Sequence, residues 1–188
     1  MIDLREKGLP TKIEVGNSFF TIKTDFREWL KFEEKLKSKE IEFQDIADLF
    51  VDTIPISAWI MYKDDILKEL QEFLVNKNAT PRTSEDDNGE NLFDYILDGE
   101  YIVGSFMSAY GIDLTSVDMH WHLFKALFVS LPDTSKIIQI MGMRSYKKSN
   151  ESYEQVAIKN KQAWILPSLT DSELEEINQE INDEFYNT

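Results

Sequence analysis

The segment His120-Trp121-His122 holds the only two histidines of the chain. On a strand the two imidazoles would share a face and could grip one metal ion. The flanking pattern instead predicts a helix, where residues two apart point about 200° away from each other. The rings are therefore expected to diverge, and a structural role outweighs metal binding or catalysis. Cysteine is absent, which excludes disulfides, thiolate metal sites and a cysteine nucleophile.

Paired carboxylates are frequent: Glu33-Glu34, Asp64-Asp65, Asp86-Asp87 and Glu175-Glu176. General acid–base work needs two acids in differing environments, one of them in an apolar enclosure that raises its pKa. Adjacent residues on a helix diverge, and none of these pairs has such an enclosure in sequence. Asp86-Asp87-Asn88-Gly89-Glu90 has some calcium-loop residues but lacks the regular ligand spacing and the distal Glu. It reads as solvated charge. No phosphate-loop, dinucleotide or nucleophile-elbow motif occurs. Gly104 and Gly142 fall inside helical patterns, where they are expected to allow close helix packing. Met107, Met119, Met141 and Met143 read as core filling. The expectation is a non-enzyme, with no catalytic, cofactor-binding or metal-binding residues.

Composition narrows the class of protein. The chain has 188 residues, 35 acids against 20 Lys and Arg, and a net charge of −15. That charge argues against wrapping nucleic acid, whose phosphates need a basic face. It also argues against docking on an anionic membrane. No apolar run approaches the length of a membrane span, and the first residues lack a signal-peptide core. Hydrophobic residues make up 42% of the chain, enough for a real core.

Elements that would position these residues follow from periodicity. Lys12 to Val15 alternates, Phe19 to Ile22 is rich in strand formers, and Gly16-Asn17 lies between, which predicts a β-hairpin. A lone hairpin is marginal, so it must rest on helices or pair with a neighbour. Ile13, Val15, Phe20 and Ile22 are the residues expected to support self-association through it, in a homo-oligomer. Thr24-Asp25 should cap a helix with Phe26, Trp29, Leu30 and Leu36 inward. A short helix is expected over 43–51. Another spans about 58–75, capped by Ser57 and interrupted near Lys63-Asp64-Asp65.

Residues 76–91 contain almost nothing apolar and read as an acidic flexible linker. They divide the chain into an N-terminal part, 1–75, and a C-terminal helical part, 92–188. In the latter, Asp98 should cap a helix that Gly111 ends as a left-handed residue. Ser116 or Asp118 should cap the next, whose stripe is Trp121, Phe124, Leu127, Phe128 and Leu131. A third follows Pro132-Asp133, with Ile137, Ile138, Ile140 and Met141 inward. Arg144 lies at its C-terminal end, where the helix dipole favours a cation. Residues 154–164 form a weaker helix, and Leu174, Ile177, Ile181 and Phe185 mark a last one. The expected fold is mainly α with a small N-terminal β-hairpin (α+β), a multi-helix, bundle-like domain. The last 38 residues carry −7 of the net charge.

Two blocks carry a family likeness. The first is Leu9-Pro10, the hairpin, and then Thr24-Asp25-Phe26-Arg27. The second runs from Asp98-Gly99-Glu100-Tyr101 through Tyr110-Gly111-Ile112-Asp113-Leu114 to Met119-His120-Trp121 and Phe124-Lys125-Ala126-Leu127-Phe128. Together they resemble the bacteriophage gp-fifteen family of long-tailed phages and prophages of Gram-positive bacteria. The resemblance implies a non-enzymatic tail-assembly protein in the cytoplasm of the bacterial host. Its implied role is a chaperone-like partner of the tape measure protein, with the tail-tube protein as a further partner. It carries over no catalytic residue. Trp121, Phe124 and Phe128 match motif positions but read physically as core, and Asp25 and Arg27 read as helix cap and first-turn surface. Competing readings are a minor virion structural protein, an acidic inhibitor or DNA mimic, and an enzyme with a carboxylate-only metal site.

Overall fold

A computed structural model describes residues 5, 7–38, 41–75, 92–146, 154–164 and 166. Among them it contains two strands and seven helices. The protein is thus mostly helical with a small antiparallel hairpin at the N-terminus. The acidic stretch 76–91 and the last predicted helix lie outside the described residues.

Strands β1 (Lys12–Val15) and β2 (Ser18–Thr21) pair with Ile13 opposite Phe20 and Val15 opposite Ser18. Gly16 takes φ 61° at the turn, a conformation that costs glycine little. The hairpin does not stand alone. Ile22 pairs with Phe50 in a single antiparallel bridge, and Lys23 N–H donates to the Leu49 carbonyl at 2.7 Å.

Helix α1 (Phe26–Ser38) starts where expected, because the Asp25 carboxylate accepts from the Arg27 backbone N–H at 3.0 Å. Its inner face is Phe26, Trp29 and Phe32. Helix α2 (Phe43–Ala47) is shorter than its apolar pattern, yet Ile46, Leu49 and Phe50 all point inward. Helix α3 (Ile56–Val75) begins one turn-residue before Ser57, with the Pro55 carbonyl accepting from Ala58. It is kinked at Tyr62 (φ −127°, ψ 23°), beside the expected interruption. Beyond the kink, Ile66, Leu70, Phe73 and Leu74 are buried.

Helices α4 (Gly99–Tyr110), α5 (Trp121–Val129), α6 (Lys136–Arg144) and α7 (Glu154–Ala163) complete the chain. Gly111 ends α4 at φ 67°, its N–H donating to the Met107 carbonyl at 2.9 Å, as a left-handed cap should.

The chain forms two compact units that are not contiguous in sequence. The first takes the described residues up to Val75 together with 114–130, so α5 packs against α1. The second takes 92–113 and the residues from Leu131 onward, where α6 packs on both α4 and α7. Residues 114–130, grouped by sequence with the C-terminal part, thus belong to the N-terminal unit. The reason is physical: α5 presents Trp121, Phe124 and Phe128, and their aromatic partners include Phe26 of α1.

Gly104 and Gly142 do not serve close helix packing. A Cβ at either position would meet nothing within 4 Å, and both residues are exposed. Among the methionines, Met119 is buried while Met107 is exposed, so core filling applies to only part of the set.

Candidate functional site

In the first unit the first familiar block is sewn directly to the later part of the second, within 114–128. Phe26 N–H donates to the Met119 carbonyl at 2.9 Å, and Trp121 N–H donates to the Thr24 carbonyl at 2.7 Å. These bonds flank an antiparallel bridge between Asp25 and His120. The Asp25 carboxylate accepts from Met119 N–H at 3.3 Å and from the Arg27 guanidinium at 3.0 Å. Arg27 then reaches onward with Nη2 to the carbonyls of Leu114 (2.7 Å) and Val117 (2.9 Å). Arg27 is more than first-turn surface. Its planar fork spends both ends, one on a carboxylate and the other on a loop that has no secondary structure to satisfy its carbonyls. Phe26 stacks on Phe124 at 4.6 Å beneath this seam.

The histidines are brought together, contrary to the helical expectation. His120 is not inside α5 but is its extended N-cap, and its ring lies 5.2 Å from that of His122. The cap is the imidazole itself: His120 Nδ1 accepts from His122 N–H at 3.0 Å. Neither Ser116 nor Asp118 takes that place. His120 Nε2 donates to the Pro10 carbonyl at 2.9 Å, and His122 Nε2 donates to the Phe73 carbonyl at 2.8 Å. Each ring is thereby held as its Nε2–H tautomer. Burial pushes His122 down to about 4, against the Phe73 hydrogen bond, and also lowers His120. The Nδ1 of His122 is buried without a hydrogen-bond partner. Among the described residues, no cluster of three or more ligating side chains could hold a metal ion.

The first turn of α5 closes the C-terminal end of α3. Trp121 Nε1 donates to the Leu74 carbonyl at 2.9 Å, and Lys125 Nζ donates to the same oxygen. With His122 on the Phe73 carbonyl, three side chains of the α5 segment serve two carbonyls in the last turn of α3. Burial pushes the Lys125 ammonium down to about 8, partly offset by Glu33, while its charge lies 4.8 Å over the Trp121 ring. The motif residues of α5 are therefore structural pins.

In the second unit, Asp98 and Arg144 are both buried and form a bidentate pair. Asp98 stands at the N-cap of α4, but its carboxylate does not cap the helix. The cap-like bonds in that turn go to Asp94, which accepts from Ile96 and Leu97 N–H at 2.8 Å each. Burial would raise the Asp98 carboxyl, yet the Arg144 fork and the Asp94 N–H outweigh it and hold it below the usual carboxylate range.

Of the residues expected to support self-association, Ile13, Val15 and Ile22 are buried and Phe20 is half-buried, in edge contact with Phe50. Their side chains are spent on the core of the first unit. Sequence reasoning passed over several hydrophobes that remain outside, among them Phe19 on β2, and Ile56, Ile60 and Met61 before the kink of α3. The signal was present in Ile54 to Tyr62, an apolar run that a single buried face cannot absorb. No helix among the described residues is long and apolar enough to cross a membrane.

The described residues thus define a mostly helical protein in which the side chains of the motif positions Asp25, Arg27, His120, Trp121 and Lys125 bond other parts of the same unit. The family model described as Bacteriophage Gp15 protein matches residues 6–166, and the chain belongs to that family. No curated protein and no solved structure matches it.

Proposed function

We propose that the chain is a non-enzymatic tail-assembly protein, acting in the host cytoplasm as a chaperone-like partner of the tape measure protein. Membership of the phage family carries this reading. The exposed apolar turn of α3 supports it, since an assembly partner must offer surface that the isolated protein leaves uncovered. The tail-tube protein is the second expected partner.

Co-expression with the tape measure protein of the same phage or prophage tests the role. The tape measure protein should stay soluble and co-purify with this chain. If it does neither, the chaperone reading is wrong. Mass spectrometry of purified particles addresses the structural alternative, because a chaperone should be missing from them and a minor virion component should be present.

A further inference from the structure

We propose that the first unit carries a docking face for an amphipathic helix with an apolar stripe flanked by Lys or Arg. This rests on the reading of the chain as an assembly partner and adds the face and the chemistry of what it binds. The apolar half is the first part of α3, where Ile56, Ile60 and Met61 are 67%, 76% and 70% exposed. Ile56 and Ile60 are one helical turn apart and form a continuous ridge.

The charged half begins at the kink. Tyr62 lies against the hairpin turn, its ring 3.8 Å from where a Cβ on Gly16 would stand. Gly16 also lines a hollow of about 320 Å³ between the hairpin and α3, around which stand Glu14, Asp65 and Glu69 with one base, Lys68. Among the described residues, none of these three carboxylates forms an ion pair. Asp65 and Glu69 lie one turn apart beyond the kink, and Tyr62 at the kink links the apolar ridge to the acidic hollow by touching the turn that lines it.

Charge complementarity selects the occupant. An acidic helix would meet three carboxylates against the single base Lys68, on a chain of net charge −15. A basic-flanked helix relieves them while covering the ridge.

The probe is a synthetic 18-residue helical peptide of Leu and Lys, with a Leu/Glu peptide of the same pattern as its counterpart. Titration against the full chain should show binding of the Leu/Lys peptide only. Ile60→Ser with Met61→Ser should weaken it roughly tenfold or more, because two buried apolar side chains are lost. Asp65→Asn with Glu69→Gln should weaken it several-fold, and more so at low salt. Glu34→Gln with Glu100→Gln removes equal charge at exposed residues that do not line the hollow and should change binding less than about twofold. The ridge residues are exposed, so an unchanged melting temperature certifies those variants. Equal binding of both peptides, an unaffected Ile60/Met61 variant, or an equal loss in the Glu34/Glu100 control would each overturn the face. Co-purification of tape measure protein that survives the ridge substitutions would sink this face and leave the assembly role standing. Peptide binding without co-purification by the wild type would do the reverse.

Discussion

Asp98 and Arg144, 46 residues apart, meet as a buried fork-to-fork ion pair with N–O distances of 2.5 Å and 2.9 Å. Arg144 spends its other donors on the carbonyls of Leu92 (3.0 Å) and Trp164 (2.5 Å). One guanidinium thus ties the segment before α4, the end of α6 and the residue after α7. Removing it leaves a buried carboxylate and two carbonyls without those bonds. Arg144→Met should cost about 3–5 kcal/mol in chemical denaturation. Asp98→Asn combined with Arg144→Met should cost less than the sum of the two single changes. Additive losses would show that the pair is not coupled.

The Leu74 carbonyl has two side-chain donors, Trp121 and Lys125. Trp121→Phe or Lys125→Met alone leaves one of them in place. The double variant removes both side-chain donors from that oxygen, so it should lose about 1 kcal/mol more than the two singles together. A double-mutant cycle with zero coupling would contradict the shared cap.

His122 makes stability depend on acid. Its folded pKa of about 4 lies below the ordinary 6.5, so the unfolded chain binds more protons between those values. The stabilisation is therefore complete above pH 6.5 and is lost as pH falls toward 4, by about 3 kcal/mol for this one group. Denaturation midpoints across that range should show a shallower slope for His122→Gln than for the wild type. Parallel slopes would mean the imidazole titrates normally.

Lys125 acts with the same sign at the other end of the scale. Burial lowers it from 10.5 to about 8, so the unfolded chain holds the extra proton between those values. Stability contributed by this group rises from pH 8 to 10.5 and is absent below that window. Lys125→Met should remove that rise from the alkaline stability curve.

The two open-sided glycines offer stabilising changes. Gly104→Ala and Gly142→Ala sit in helix interiors with free space around the new methyl group. Each should add about 0.5–1 kcal/mol of stability. Gly111→Ala should go the other way, since its φ of 67° is costly for any side chain. Melting temperatures of the three variants would expose either sign error.

What the sequence determined by itself is local. The hairpin, the Asp25 cap, the Gly111 stop, Phe26 and Trp29 of α1, Ile137 and Ile140 of α6 and the inner stripe of α5 follow from periodicity and from backbone groups a few residues away; Leu30 and Leu36 of α1, expected inward, are half-buried, and Phe32 takes the inner place. The motif blocks also revealed the family. What only the tertiary structure decided is which distant groups meet. Asp98 and Arg144 each had a sufficient local reading, as N-cap and as dipole cation. Their pairing depends on α4 lying against α6. His120 read as a helix residue because its neighbours are helical, but the bridge to Asp25 holds it extended and turns its ring into a cap. For Ile13, Val15 and Ile22 the sequence left two coverings open, helices or a neighbouring chain, and the rest of the first unit buries all three. In each case the deciding bond or contact spans tens of residues, and local spacing carries no information about it.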